Sequence, residues 1–364
     1  MDFTVSGPNG IHLSVKRRVV EYTQDGFTFS YYASCVSPSR EDCSGLPADS
    51  LTLVIAHGLG LYVETYYPMI SHLYARSHDP NSPFRIRAVW LIEHANHNDS
   101  SMLNESTLKS HYTKLFPIQY FGHGIVAFLK SGLVDLHDPN LIPVAHCGGA
   151  GGMVLAVDTL FRHDRFQPRC AILIEPLLFD RRVEAPFRDF TNRVHVYNKK
   201  REHLWQNVDE AIAYHTKKHP WNTWDLEVLR WMSRSAFRTV PSTISPNNKP
   251  FVTLKTSLQQ ESASFEFDGP LIAGSVLLEL IPKLPVHIIM AEKQNMWSPP
   301  MYENQVDLLD RSKSQLASFR VISGAGHCAP QDNPVDSAAA LFEALLADYT
   351  RCAAQTASSQ TAKL

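Results

Sequence analysis

The sequence predicts an α/β fold: a doubly wound, mostly parallel sheet with a mainly helical lid inserted between two strands. Three observations carry this. Short apolar runs bounded by turn residues recur at 51–56, 86–92, 141–145, 170–174, 286–290 and 319–322, as strands buried on both faces do. Segments with helical patterning intervene near 66–75, 118–130, 151–162, 302–309 and 335–346, and strand–helix alternation of this kind builds parallel sheets. The interval 177–284 then breaks the rhythm with charge and aromatics, including Trp205, Trp221, Trp224 and Trp231.

Taken in order, two β-rich segments open the chain, at 13–22 and 27–36, and a polar stretch with Pro38, Gly45 and Pro47 reads as a surface loop. The core is expected from 1–177 and 285–350. The interval 178–284 is expected as a lid over the carboxyl edge of the sheet, with helices at 201–215 and 224–237. An apolar, Trp-rich lid suits a large acyl chain, although such residues are more often simply core. Residues 351–364 are small and polar and read as a flexible tail. They end in Ala362-Lys363-Leu364, similar to the Ser-Lys-Leu peroxisomal address that an import receptor reads.

Composition narrows the function classes. A net charge of −2 over 364 residues, with no block of like charges, argues against nucleic acid. No apolar stretch approaches a membrane span, and the N-terminus lacks the regions of a signal peptide. The six cysteines (Cys35, Cys43, Cys147, Cys170, Cys328 and Cys352) form no CxxC pair, which speaks for free thiols in a reducing compartment and against a zinc knuckle. No metal or cofactor is expected, and a homodimer is left open.

Four features then fall in an order that suits acyl chemistry. The strand ending in His57-Gly58-Leu59-Gly60 suits a loop whose Leu59 amide binds an oxyanion. Val144-Ala145-His146-Cys147-Gly148-Gly149 has the layout of a nucleophile elbow, with Gly148 N–H as the second donor. The strand before the lid ends in Ile174-Glu175-Pro176, and a lone carboxylate at an apolar strand tip needs a partner. Glu175 is therefore assigned as the acid. Glu292 is the alternative, because the post-lid strand carries Gln294 and Asn295 where an aspartate would be expected. His327, in Ser323-Gly324-Ala325-Gly326-His327-Cys328, is the general base. His57 and His146 read as structural or as helpers that shape the loops, and Cys328 as a packing neighbour.

This set resembles the α/β-hydrolase superfamily across nearly the whole chain. More narrowly, it resembles the fungal peroxisomal hydrolases, among them the acyl-CoA hydrolase of mycophenolic acid biosynthesis, a yeast peroxisomal lipase and hydrolases of host-selective toxin pathways. The residues carrying this are His57-Gly58-Leu59-Gly60 with Glu64-Thr65-Tyr66, Glu93-His94-Ala95-Asn96-His97-Asn98-Asp99-Ser100 with Leu103-Asn104-Glu105, and in the lid Lys199-Lys200-Arg201 with Trp205, Trp224-Asp225, and Val252-Thr253-Leu254-Lys255 with Glu261. The resemblance implies hydrolysis of an ester or acyl-CoA thioester, often in secondary metabolism, with the acid after the pre-lid strand, as at Glu175. Those relatives carry serine at the elbow, where this chain has Cys147.

The thiol shapes the expected chemistry. Exchange between a cysteine thiolate and a thioester is nearly balanced, whereas an oxyester or amide presents a poorer leaving group. The helix following Cys147 would place its positive end at the sulfur. The expectation is thus an acyl-thioester hydrolase, with acyl-CoA as the small-molecule substrate. An acyltransferase or Dieckmann-type cyclase that passes the Cys-bound acyl group to another nucleophile is one alternative. A non-covalent pseudo-hydrolase, cyclase or binding protein is the other. Lys199, Lys200 and Arg201 read first as a solvated helix face, with CoA phosphates as the functional alternative.

Overall fold

A computed structural model describes residues 2–6, 11–38, 46–241, 249–266 and 268–361. Ala362-Lys363-Leu364, Cys43 and Gly45 lie outside them. Nine strands form one sheet. They are β1 Phe3–Ser6, β2 His12–Gln24, β3 Phe27–Pro38, β4 Leu51–Ala56, β5 Ile86–Ile92, β6 Leu141–His146, β7 Ala171–Ile174, β10 Val286–Ala291 and β11 Ser318–Ile322, in the order β1-β2-β3-β5-β4-β6-β7-β10-β11. The first three joins are antiparallel and the rest parallel. All six apolar runs read from the sequence are strands of this sheet.

Alternation along the strands builds two cores. Leu53, Ile55, Val144, Ile172 and Ile289 point to one face, where Tyr67, Ile70 and Tyr74 of α1 (Tyr67–Ser77) and Leu341 and Leu345 of the C-terminal helix pack. Val54, Ala56, Ala145, Leu173 and Ile288 point to the other, against Phe121, Ile125, Met153 and Leu277. Helices Ile118–Lys130, Gly148–His163 and Asp268–Leu280 supply that second layer.

Chain leaving β7 returns to its neighbour β10 only at Val286, and these strands pair in parallel register, Ile174 opposite Ile289. The excursion between them differs from the expectation in three respects. A helix not foreseen, Glu184–Lys200, stands where no element was assigned. The helix expected over 201–215 forms only over Val208–His215, because Arg201 turns to extended backbone (φ −69°, ψ 133°) and buries its guanidinium against Glu261, while Trp205 bridges to Val252. Strands β8 Phe237–Val240 and β9 Phe251–Leu254 add a hairpin. The last helix before β10, Asp268–Leu280, buries Ala273 and Leu277 in the sheet's own second layer. The expected tail is helical as far as Thr361, as a continuation of the helix that starts at Pro334.

The lid tryptophans belong to the core: Trp205, Trp221 and Trp224 join the cluster around Tyr66 and Tyr67. His215 sits among Trp205, Trp221 and Phe237. Its Nδ1 donates to the Ala211 carbonyl at 2.7 Å, and its Nε2 has no partner among the described residues. Burial pushes this imidazole down to about 4, against the Ala211 hydrogen bond. A histidine with a depressed folded pKa stabilises fully above its unfolded value, and that contribution is lost as pH falls through the folded value. His215 alone should therefore remove about 2 kcal/mol of stability between pH 6.5 and 5. In urea unfolding at both pH values, His215→Phe should show a loss smaller by that amount; an unchanged difference would contradict the assignment.

Candidate active site

Cys147 closes the turn between β6 and the helix Gly148–His163 with φ 52° and ψ −125°, a region that L-residues rarely occupy. Two hydrogen bonds hold it there: Cys147 N–H donates to Ile174 O at 3.1 Å, and Leu177 N–H donates to Cys147 O at 2.9 Å. Both partners flank Glu175, so the elbow and the acid share one small frame. The glycines that follow are steric requirements. A Cβ on Gly149 would fall 2.4 Å from the His57 carbonyl oxygen, and one on Gly148 would fall 2.4 Å from Leu59 Cγ.

Glu175 and His327 meet. His327 Nδ1 donates to Glu175 Oε2 at 3.0 Å, and the other carboxylate oxygen accepts the Ala291 amide. Both side chains are buried. Glu292, the alternative acid, is exposed and accepts the Gly324 amide at 2.6 Å. Asn295, at the position where an acid was sought, instead accepts the His327 amide at 3.0 Å and lies over Gly326. Nε2 of His327 has no hydrogen-bond partner among the described residues, and the Cys147 thiol is near enough to act on the ring electrostatically. Burial pulls this imidazole down, but Cys147 and then Glu175 outweigh it and hold it up to about 10.

The loop after β4 is pinned on both sides of Leu59. Gly58 N–H donates to the Tyr66 hydroxyl at 3.0 Å and Gly60 N–H to His97 Nε2 at 2.9 Å. The Leu59 amide between them donates to no described residue, and neither does the Gly148 amide at the first turn of its helix. Free donors on adjoining loops are what an oxyanion needs.

Neighbouring histidines act as struts. His146 Nε2–H donates to the His327 carbonyl at 2.9 Å, which leaves Nδ1 to accept from Tyr66 OH at 2.7 Å. His57 Nδ1–H donates to the Gly58 carbonyl at 2.8 Å, and its Nε2 accepts the His94 amide at 3.0 Å. Each ring is thus neutral with both nitrogens occupied, and burial pushes His57 down to about 4 and His146 to about 3. Tyr66, His97, Asn295 and Trp297 had no assigned role from sequence; their partners are distant in the chain. Trp297 meets the His327 ring edge-on at 4.7 Å. Cys328 is buried in the main core.

Cys147 is 5% exposed and clusters with Leu59, Leu177, Phe179, Phe187, Phe190 and Trp297. The surface hollow of about 580 Å³ lined by His72, Arg76 and Phe342 includes none of these residues. Cys147, Cys170 and Cys328 are free thiols. Among the described residues, two other clusters have metal-ligand atoms close together: Cys170, His287 and Asp348, and Glu64, Glu93 and Asp99. In each, guanidinium groups already stand against the carboxylates: Arg169 and Arg351 on Asp348, and Arg17 on Glu93 and Asp99.

No protein-family model matches the chain. It is 25% identical over 211 residues to a type I acyl-CoA thioesterase, mpaH, of Penicillium brevicompactum, a match covering 58% of this chain and 45% of the relative. It is 24% identical over 205 residues to the corresponding thioesterase of Penicillium roqueforti, covering 56% and 43%. The chain thus spans about half the length of the curated relatives it matches. A peroxisomal α/β-hydrolase of Saccharomyces cerevisiae superposes with TM-score 0.69 at 16% identity, over 94% of this chain and 90% of that one. The thioesterase domain of the curacin biosynthetic pathway gives 0.57 at 14%, over 91% and 99%. The chain has the α/β-hydrolase fold.

The close approach at the elbow sets an expectation for two glycines. Gly149→Ala should cost roughly 1–3 kcal/mol by overpacking against backbone. Gly124→Ala should be neutral or stabilising, since its nearest contact would be an ordinary 3.5 Å to Tyr22. Thermal unfolding of the two variants checks the contrast, and equal effects would refute it.

Proposed function

We propose that this chain hydrolyses acyl thioesters, with acyl-CoA as the substrate class. Cys147 is the nucleophile, His327 the proton carrier and Glu175 the residue that orients it. One observation carries the reading: the His327 ring has Nδ1 bonded to Glu175 and a buried Nε2 with no partner among the described residues, and Cys147 is close enough to favour its charged form.

In the proposed cycle, the Cys147 proton passes to His327 Nε2 and the sulfur attacks the thioester carbonyl carbon. The carbonyl π pair moves to oxygen, where the Leu59 and Gly148 amides receive it. The carbon–sulfur bond to the carrier breaks, and His327 gives its proton to the departing thiolate. Water, deprotonated by His327, then attacks the Cys147 thioester. A free carboxylic acid leaves, and the proton returns to the thiol.

The likeness to a fungal acyl-CoA thioesterase and to a peroxisomal α/β-hydrolase supports an acyl-CoA substrate and a peroxisomal setting, and a role in fungal secondary metabolism is part of the proposal. Import through the receptor for Ala-Lys-Leu endings belongs to the same proposal. A second reading, acyl transfer to an amine, alcohol or carbanion, including Dieckmann-type ring closure, draws on the apolar burial of Cys147, which keeps water from the acyl-enzyme.

Intact-protein mass spectrometry after mixing with an acyl-CoA should show the mass of one acyl group on Cys147, with free acid as the product. An amide, ester or ring product would assign the second reading instead. His327→Ala should slow turnover by roughly 10²–10⁴-fold. Full turnover in Cys147→Ala, or turnover that survives loss of both Cys147 and His327, would overturn covalent catalysis in favour of a non-covalent role.

Tyr66→Phe removes both the acceptor for Gly58 N–H and the donor to His146. It should lower kcat by about tenfold, or about 1.4 kcal/mol. Iodoacetamide alkylation of Cys147, which develops no oxyanion, should change little; parallel losses in both reactions would mean that Tyr66 acts on the thiol and not on the loop.

A further inference from the structure

Beside the proposed catalytic centre, the lid carries a groove of about 570 Å³. Helix Glu184–Lys200 contributes His195, Asn198 and Lys199, helix Leu258–Ser264 contributes Gln259 and Ser262, and Lys114 reaches in from the loop before Ile118. A second hollow of about 260 Å³ shares Asn198, Lys199 and Gln259 and adds His203. No carboxylate lines either hollow. Neither Lys114 nor Lys199 forms an ion pair with a described residue, unlike Lys109, Lys130 and Lys255. The volume lies within the usual range for small-molecule sites, and unneutralised ammonium groups are suited to phosphate as point charges.

A single layer of side chains separates this groove from the oxyanion loop. Asn198 Nδ2 donates to Glu261 Oε1 at 3.2 Å and to Ser262 Oγ at 3.1 Å. Arg201 grips both Glu261 oxygens at 2.8 and 2.6 Å, which removes it from the solvated face the sequence suggested. Glu261 in turn lies against Gly60, where a Cβ would fall 3.6 Å from its Cγ and Cδ. Gly60 adjoins Leu59. Asn198 Oδ1 is buried in this wall with no hydrogen-bond partner among the described residues.

The geometry points to this groove as the site for the phosphorylated nucleotide end of the thioester's carrier, with its amide-bearing arm passing over the Asn198–Glu261 wall to the reacting carbonyl. The inference rests on the acyl-CoA reading above. Lys114 and Lys199 hold the phosphates by charge, and Asn198 Oδ1 is available to an amide N–H of the arm once the wall yields to it.

The test uses Lys114→Glu/Lys199→Glu and a control of equal charge change on distant exposed lysines, Lys16→Glu/Lys283→Glu. For three thioesters of one acyl group, on CoA, dephospho-CoA and N-acetylcysteamine, the groove variant should raise the ratio of the KM values for acyl-CoA and the N-acetylcysteamine thioester by about tenfold, equivalent to about 1.4 kcal/mol of binding. The control should leave that ratio unaltered. A rise that persists with dephospho-CoA assigns the lysines to the diphosphate, and one that vanishes assigns them to the 3′-phosphate. An unchanged ratio, or an equal rise in the control, overturns the proposal. Calorimetric titration of the wild-type protein with adenosine 3′,5′-bisphosphate separates this from the catalytic reading: binding lost in the groove variant upholds the groove even if no thioester is hydrolysed, and absence of binding refutes it even if hydrolysis proceeds.

Discussion

Everything at the centre of this molecule hangs on the backbone of Cys147 in a conformation that its own side chain disfavours. Such strain persists only where the surroundings over-determine it. Here the determinants are two hydrogen bonds to Ile174 and Leu177 and the close seating of Gly149 against the end of β4. Because those bonds bracket Glu175, the same contacts that force the thiol outward also fix the turn bearing the carboxylate. Glu175 itself has φ 43°, so two strained residues stand just past the ends of adjoining strands. Strand register thus becomes the ruler for the distance between acid, imidazole and thiol.

Around that frame, histidine serves two purposes distinguished by burial and partners. His57 and His146 have both nitrogens engaged as one donor and one acceptor, and they behave as rigid crosslinks between loops. His327 has one nitrogen bound to a carboxylate and the other beside a thiol, and its charged form is the one its neighbours favour. The crosslinks bear on the loop that carries His327: His146 grips the His327 carbonyl while Tyr66, bonded to His146, grips Gly58. The Cys147 turn, the His327 loop and the loop after β4 are therefore a single hydrogen-bonded unit.

Much of this could be read from the residues. Strands buried on both faces leave an apolar run with sharp ends, and β4 and β5 match the predicted bounds. His327 was visible because glycines surround it, and Glu175 because a carboxylate at the tip of Ala171–Ile174 requires a partner. The lid was harder to read for a physical reason. Helix Glu184–Lys200 buries only Phe187, Phe190, Thr191 and Asn198, so its charged surface masks its period. Arg201 continues a basic run in sequence yet turns inward, because its partner Glu261 is supplied by a distant helix. Tyr66 and His97 act through His146 and the backbone of Gly58 and Gly60, pairings that no local pattern reveals.

The parallel pairing of β7 with β10 across so long an excursion has an evolutionary consequence. Ile174 and Ile289 face each other as they would if a short connection joined them. The sheet is therefore indifferent to what is threaded between them, provided Asp268–Leu280 returns to cover its face. Glu175 lies at the exit of the excursion, and His327 beyond its re-entry. Insertions, deletions or wholesale exchange of the intervening segment can reshape what stands beside the sheet while Cys147, Glu175 and His327 keep their spacing. Selection can thus act on the excursion and on the frame beneath it as separable traits of one polypeptide.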